Sequence, residues 1–188
     1  MRTRSALPVA MAALVGPSVA VGSSAQAQAE APNEPERYCS TRVLTEAELD
    51  AGAKSVITCS TSAESALGLQ GYEVPAGLTP EAALSGGVVS YDGTGLVAIH
   101  YDGNGATGSS LSVIGTVCDG GGISFSAGDW WNDRISSTRH QACSTIKHWV
   151  NSDFSGTAEV TQQPSGWWQT LNATNNQVSS IKYFGPNN

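Results

Sequence analysis

Trp130-Trp-Asn-Asp-Arg-Ile-Ser-Ser137 decides the reading, because its last six residues return in altered form as Asn175-Asn-Gln-Val-Ser-Ser180. Both hexapeptides fit one pattern: two carboxamide or carboxylate residues, a polar residue, an aliphatic residue, then two serines. Side-chain oxygens stand at four of the six positions. A hard cation such as calcium takes six to eight oxygens at about 2.3–2.6 Å, so one hexapeptide is too few and two brought together are enough. Asn, Asp and Ser also serve as plain turn-formers that cap their own backbone. The repetition favours the cation reading, provided the segments upstream repeat as well.

They do. Trp149-Val-Asn-Ser-Asp-Phe154-Ser-Gly156 places a second aromatic five residues after the first and a glycine two further on. Tyr101-Asp-Gly-Asn-Gly-Ala106-Thr-Gly108 keeps the spacing, with Ala106 in place of the second aromatic. Such a unit suits a tight β-hairpin in which the glycine takes positive φ and the aromatics lie over the turn. An oxygen-rich loop follows each hairpin.

With these residues the chain resembles the βγ-crystallin superfamily, whose Greek key carries an aromatic-x4-aromatic-x-Gly hairpin and, in calcium-binding members, the loop Asn/Asp-Asn/Asp-x-x-Ser/Thr-Ser. The resemblance runs from about Gly95 to Gly185. Its loops match at Asn132, Asp133, Ser136 and Ser137, and again at Asn175, Asn176, Ser179 and Ser180. It implies calcium held between the halves, each loop donating to the site of the other. Asp133 and Asn176 would then give side-chain oxygens, Ser136 and Ser179 hydroxyls, and Arg134 and Gln177 backbone carbonyls. With Asp133 as the single carboxylate, the sites should be weak, at roughly 10⁻⁴–10⁻³ M, and structural in role. Among exported members the chain is most similar to those of actinomycetes, small metalloproteinase inhibitors and killer-toxin-like proteins, in which segments like Trp-Asn-Asp-Arg-Ile-Ser-Ser recur. That implies an extracellular peptidase as partner.

The start of the chain gives the compartment. Arg2 and Arg4, an apolar stretch from Leu7 to Val21 interrupted by Pro8 and Pro17, and Ala27-Gln-Ala29 read as a signal peptide over 1–29 rather than a membrane anchor. The expected product is secreted and monomeric, with no membrane partner. Seven Lys and Arg then face 16 Asp and Glu, a net charge near −9. That balance excludes a nucleic-acid surface and favours cations or basic partners. Cys39, Cys59, Cys118 and Cys143 are an even set in an exported chain, which argues for two disulfides. Cys39 with Cys59 and Cys118 with Cys143 are expected because each pair brackets one sub-region; each would be worth on the order of 3 kcal/mol. The absence of Cys-x-x-Cys spacing argues against zinc.

Residues 30–38 read as a disordered leader, and 39–87 as a small α/β appendage stapled by its own disulfide and seated on the sandwich. Thr45-Glu-Ala-Glu48 is a capping box that should open a helix to about Val56, followed by a strand near Cys59; Thr79-Pro80-Glu81 reads as a second cap. From 88 to 188 the pattern is all-β. Strands are expected at 96–101, 110–116, 123–127, 137–140, 144–150, 156–162, 168–171 and 179–184, forming a double Greek key sandwich with halves at about 95–141 and 142–186.

Five tryptophans offer a second function. Trp131 and Trp149 alternate into the expected core, while Trp130 and Trp167 are candidates for stacking on sugars, which would make the protein a cell-wall glycan binder or an antimicrobial module. His100, His140 and His148 lie in or beside expected strands, with no nucleophile elbow or zinc helix. No catalytic residue is assigned and the chain reads as a non-enzyme. Asn172-Ala-Thr174 is a formal glycosylation sequon.

Overall fold

The computed structural model describes residues 35–68, 95–116 and 118–185. The expected signal peptide, most of the leader and the second helix cap lie outside the described residues. Among these described residues ten strands run in chain order: β1 Tyr38–Arg42, β2 Thr58–Ser60, β3 Gly95–Tyr101, β4 Ser110–Gly115, β5 Asp119–Ser124, β6 Ser137–His140, β7 Thr145–Trp149, β8 Ala158–Gln162, β9 Trp168–Thr170 and β10 Ser180–Phe184. Two short helices, α1 Glu46–Asp50 and α2 Ala63–Gly68, lie between β1 and β3.

The strands form two sheets, one ordered β2-β1-β4-β3-β6-β9 and the other β5-β10-β7-β8. Each group of four from β3 onward keeps three strands in one sheet and gives its third to the other. Strand β5 pairs with β10, and β9 pairs with β6. Because of this exchange neither Greek key has a complete sheet of its own. The inner faces close over Leu111, Phe125, Trp131, Ile135, Ile146 and Tyr183, all at most 1% exposed. Trp149 is also buried.

The segment expected as an appendage is woven into the sandwich. Strand β1 adds to the first sheet parallel to β4, so the strand pattern starts at Tyr38, inside the expected leader. The chain then crosses to the second sheet, where Leu44 pairs with Gly122 through bonds of 2.7 and 2.9 Å. One segment thus covers the β4 edge of one sheet and the β5 edge of the other, which blunts two open edges. Cys39–Cys59 joins cross-strand partners of β1 and β2. Cys118–Cys143 is also formed, but it ties the two Greek keys together instead of bracketing one.

Two expected boundaries are corrected. The capping box forms as read, with Thr45 accepting from the Glu48 amide and Glu48 from the Thr45 amide. The helix nevertheless ends at Asp50, because Gly52 turns to φ 79° and its N–H closes back on the Leu49 carbonyl. Strand β5 begins at Asp119 rather than Ile123, so Gly120-Gly121-Gly122 is strand and not turn. A Cβ at Gly121 would meet the Leu44 carbonyl at 2.8 Å, and one at Gly122 the Ile181 carbonyl at 2.2 Å. Glycine is there to let two backbones approach.

Candidate functional site

The two oxygen-rich loops meet and hydrogen-bond to each other. Their second residues, Asp133 and Asn176, both take the left-handed conformation, at φ 61° and 55°. Asn and Asp tolerate that region better than other side chains. Along each hexapeptide burial follows one course, with the first residue half-buried, the next two exposed, and the aliphatic residue and both serines buried.

The loops bond reciprocally. Asp133 N–H donates to the Val178 carbonyl at 3.0 Å, and Asn176 N–H to the Ile135 carbonyl at 2.9 Å. The side chains repeat the exchange: Ser136 Oγ donates to Asn176 Oδ1 at 2.8 Å, and Ser179 Oγ to Asp133 Oδ1 at 3.2 Å. The fifth residue of each loop therefore reaches the second residue of the other. Asn132 Nδ2 donates to Asp133 Oδ2 at 2.9 Å, while the buried Oδ1 of Asn175 accepts no hydrogen bond.

The sixth serines do a different job. Ser137 Oγ donates to the Gly103 carbonyl and accepts from Ala106 N–H, at 2.7 and 3.0 Å. Ser180 Oγ donates to the Asn151 carbonyl and accepts from Phe154 N–H, at 2.5 and 3.1 Å. Each serine thus clamps the hairpin of its own Greek key at the third and sixth hairpin positions. Those sixth positions are left-handed, Ala106 at φ 62° and Phe154 at 59°. The Ala106 departure changes the side chain and keeps the turn.

Asn132 and Ser179, one from each loop, line a cleft of about 420 Å³ with Asn151, Ser152 and Asp153 of the second hairpin. These hairpin residues were not marked as site residues by the sequence, since nothing local links them to the loops. Glu159 on β8 was missed for the same reason: its carboxylate accepts from the Asn172 and Thr174 amides and the Thr174 hydroxyl, fixing the approach to the second loop. Arg134 turns its guanidinium over Trp130 at 4.3 Å, and Arg37 lies over the same ring at 4.9 Å. Trp130 is thereby engaged within the protein, and Trp167 is 64% exposed. Among the described residues no three His, Cys, Asp or Glu side chains form a group able to hold a metal ion, so a cation at the loops would be held by neutral oxygens and Asp133.

Two Greek keys that exchange their third strands, each with a clamped hairpin and a reciprocally bonded loop, define the architecture. The fold is a βγ-crystallin-like double Greek key. No family model matches the chain, and no curated protein matches it. Among solved structures, it is similar to a βγ-crystallin domain from Clostridium beijerinckii at 21% identity and TM-score 0.37, covering 47% of this chain and 97% of that one. A βγ-crystallin domain from Flavobacterium johnsoniae is similar at 25% identity and TM-score 0.34, covering 49% of this chain and 98% of that one. The N-terminal domain of protein S is similar at 17% identity and TM-score 0.35, covering 48% and 97%. The narrower resemblance to actinomycete inhibitors and toxins has no counterpart among these three.

The histidines of this βγ-crystallin-like domain are core residues. His100 bonds Thr138 through Nδ1 and the Tyr183 hydroxyl through Nε2, both at 2.8 Å, and Thr138 also bonds His148 Nε2 at 3.0 Å. His140 bonds the Cys143 carbonyl and Thr161, at 3.1 and 2.9 Å. Burial holds all three below the usual imidazole range, His148 down to about 3, and repulsion from the neighbouring imidazoles adds to the effect on His100 and His148.

Proposed function

We propose that this is an exported protein that binds calcium in its paired loops and uses the cation to brace the two Greek keys. The reciprocal bonding of the loops carries the proposal. Each second-position oxygen already lies about 3 Å from the opposite fifth-position hydroxyl, the separation of neighbouring ligands on an ion with bonds of about 2.3–2.6 Å. The buried Asn175 Oδ1 is a further oxygen in search of a partner. A bound cation would supply charge for these dipoles to converge on. Two disulfides fit an oxidising compartment, and no helix among the described residues is long and apolar enough to cross a membrane.

With few carboxylates, binding should fall near 10⁻⁴–10⁻³ M, so about 10 mM calcium is needed to fill the sites. At a hundredfold excess over Kd a folded-state ligand stabilises by about 2.7 kcal/mol, or about 5–10 °C in melting temperature for a chain of this size. Calorimetric titration and melts in calcium and chelator measure it, and Asp133→Ala should reduce the shift. No heat and no shift at that concentration would end the proposal.

Peptidase inhibition is a second reading, favoured by one observation. Within the loop closed by Cys39–Cys59, Val56 is 74% exposed between buried Ser55 and half-buried Ile57. Its backbone is held on both sides: Ser55 N–H donates to the Ser124 carbonyl at 3.1 Å, and Thr41 Oγ1 to the Val56 carbonyl at 2.9 Å. A pinned chain offering an aliphatic side chain suits a peptidase with an apolar pocket, because little freedom remains to be lost on binding. The expected result is inhibition of a thermolysin-like enzyme that Val56→Asp abolishes without moving the melting temperature. If a panel of metallo- and serine peptidases stays fully active, this reading is wrong.

A further inference from the structure

Beyond the loops, we infer that the open end of the first sheet is a saccharide site with a preference for an acidic sugar. Arg139 on β6 and Trp168 on β9 are direct cross-strand partners, so their side chains stand on the same face. That outer face is covered by Leu67 of α2 over Leu96, Ile99 and Ile114. Farther along it, Trp168 is left 50% exposed and the adjacent Trp167 64%. Two neighbouring indoles kept out of a core are informative, since full burial of one large apolar side chain is worth about 1.5–3 kcal/mol.

The indoles border a cleft of about 620 Å³ whose other lining residues are Gly105, Ala106, Arg139, Ser165 and Gly166. One wall is the first hairpin. Where the second hairpin carries Phe154 edge-on to Trp149 at 5.6 Å, the first has Ala106, and the space stays open. Trp168 closes against Gly105 instead, 3.8 Å from where a Cβ would be. The change from aromatic to alanine at one hairpin position thus makes the cleft.

The platform is rigid. Gly166 N–H donates to the His140 carbonyl, His140 N–H to the Trp167 carbonyl and Trp167 N–H to the Pro164 carbonyl, at 2.8, 2.9 and 3.1 Å. Arg139 Nε donates to the Gly166 carbonyl at 3.0 Å, which orients the guanidinium. Among the described residues nothing bonds its two Nη groups. Flat apolar rings beside a fixed planar donor fork match a sugar, whose axial C–H face stacks on indole while a carboxylate or vicinal hydroxyls take the fork. Among the described residues Arg139 is the one charged residue lining the cleft, which selects a carboxylate. The formal net charge of −7 opposes a dense polyanion at long range. The fit is therefore to a chain in which acidic and neutral sugars alternate.

Titration of the protein, in chelator to silence the loops, with a glucuronate–N-acetylglucosamine tetrasaccharide should shift and quench tryptophan fluorescence. A chito-tetrasaccharide, which lacks the carboxylate, should bind at least about tenfold more weakly. Trp168→Ala should abolish the response to both. Ala106→Phe fills the cleft at a position where the other hairpin already carries phenylalanine in the same conformation, so it should abolish binding while the protein stays folded. Arg139→Gln should equalise the two sugars. No response to either sugar, or a response unchanged in Trp168→Ala and Ala106→Phe, would overturn the site. Equal affinities for the two sugars in the unmodified protein would overturn the acidic preference.

Discussion

As the pH falls below 6.5 the protein should lose stability, by up to about 1.4 kcal/mol per pH unit for each buried histidine that stays neutral in the fold. The cause is the three buried histidines. Each is held neutral in the folded state, with its ordinary value of 6.5 restored on unfolding. Because the folded values are depressed, the stabilisation is complete above pH 6.5. It is lost as the pH falls, since only the unfolded chain takes up protons, and the loss continues until the folded protein protonates, at about 3 for His148. Each histidine contributes up to about 1.4 kcal/mol per unit. Against a total of about 5–15 kcal/mol, the loss from His148 alone over two units is a sizeable share of the stability. The groups facing the imidazoles are hydroxyls and carbonyls, those of Thr138, Tyr183, Thr161 and Cys143, and none supplies a counter-charge. Asp102, whose carboxyl burial pushes up, works the other way and softens the slope slightly. Urea unfolding in half-unit steps from pH 7 to 4.5 measures the proton uptake, and His148→Gln should lower it by about one proton. A flat profile from pH 6.5 to 5 would sink the argument.

Gly122→Ala should destabilise by about 3 kcal/mol or more, a large effect for one methyl group. The added Cβ lies 2.2 Å from the Ile181 carbonyl oxygen, and the obstacle is backbone rather than a side chain that could rotate away. On its other side Gly122 exchanges hydrogen bonds with Leu44, so β5 is held between β10 and the N-terminal segment with no direction of escape. Overpacking a fixed site costs about 1–3 kcal/mol, and here it also loosens the exchanged strand on which both Greek keys depend. Gly128→Ala is the control, since a Cβ there meets nothing within 4 Å and should change stability by no more than about 0.5 kcal/mol. Equal urea midpoints for the two variants would refute the close approach as the reason for the glycine.

What could be read before folding and what could not divide along the range of the interactions. The hairpin-plus-loop units were legible because their chemistry is local: a left-handed residue at each loop's second position, a left-handed glycine closing each hairpin, serines at fixed spacing. The capping box followed from the same short-range logic, whereas Cys118–Cys143 formed as expected but for a different reason, joining the two Greek keys rather than bracketing one sub-region. The exposed tryptophan cleft was half legible, since Trp-Trp at 167–168 is visible in the chain and Trp167 was a candidate from sequence, but the cleft needs a hairpin some sixty residues away.

The sequence by itself determined that two like units exist and what their turns are, because turn geometry and spacing constrain residues close together in the chain. Only the tertiary structure decided that three glycines form a strand, that Tyr38–Arg42 completes a sheet, and that three histidines lie in the core. It also assigned the sixth serines to hold hairpins while the fifth reach across. In each of these the residue answers to a partner distant in sequence, Ile181 for Gly122, Thr138 for His100 and Phe154 for Ser180. Composition carries no record of those separations, and folding supplies them by bringing two backbones to contact distance.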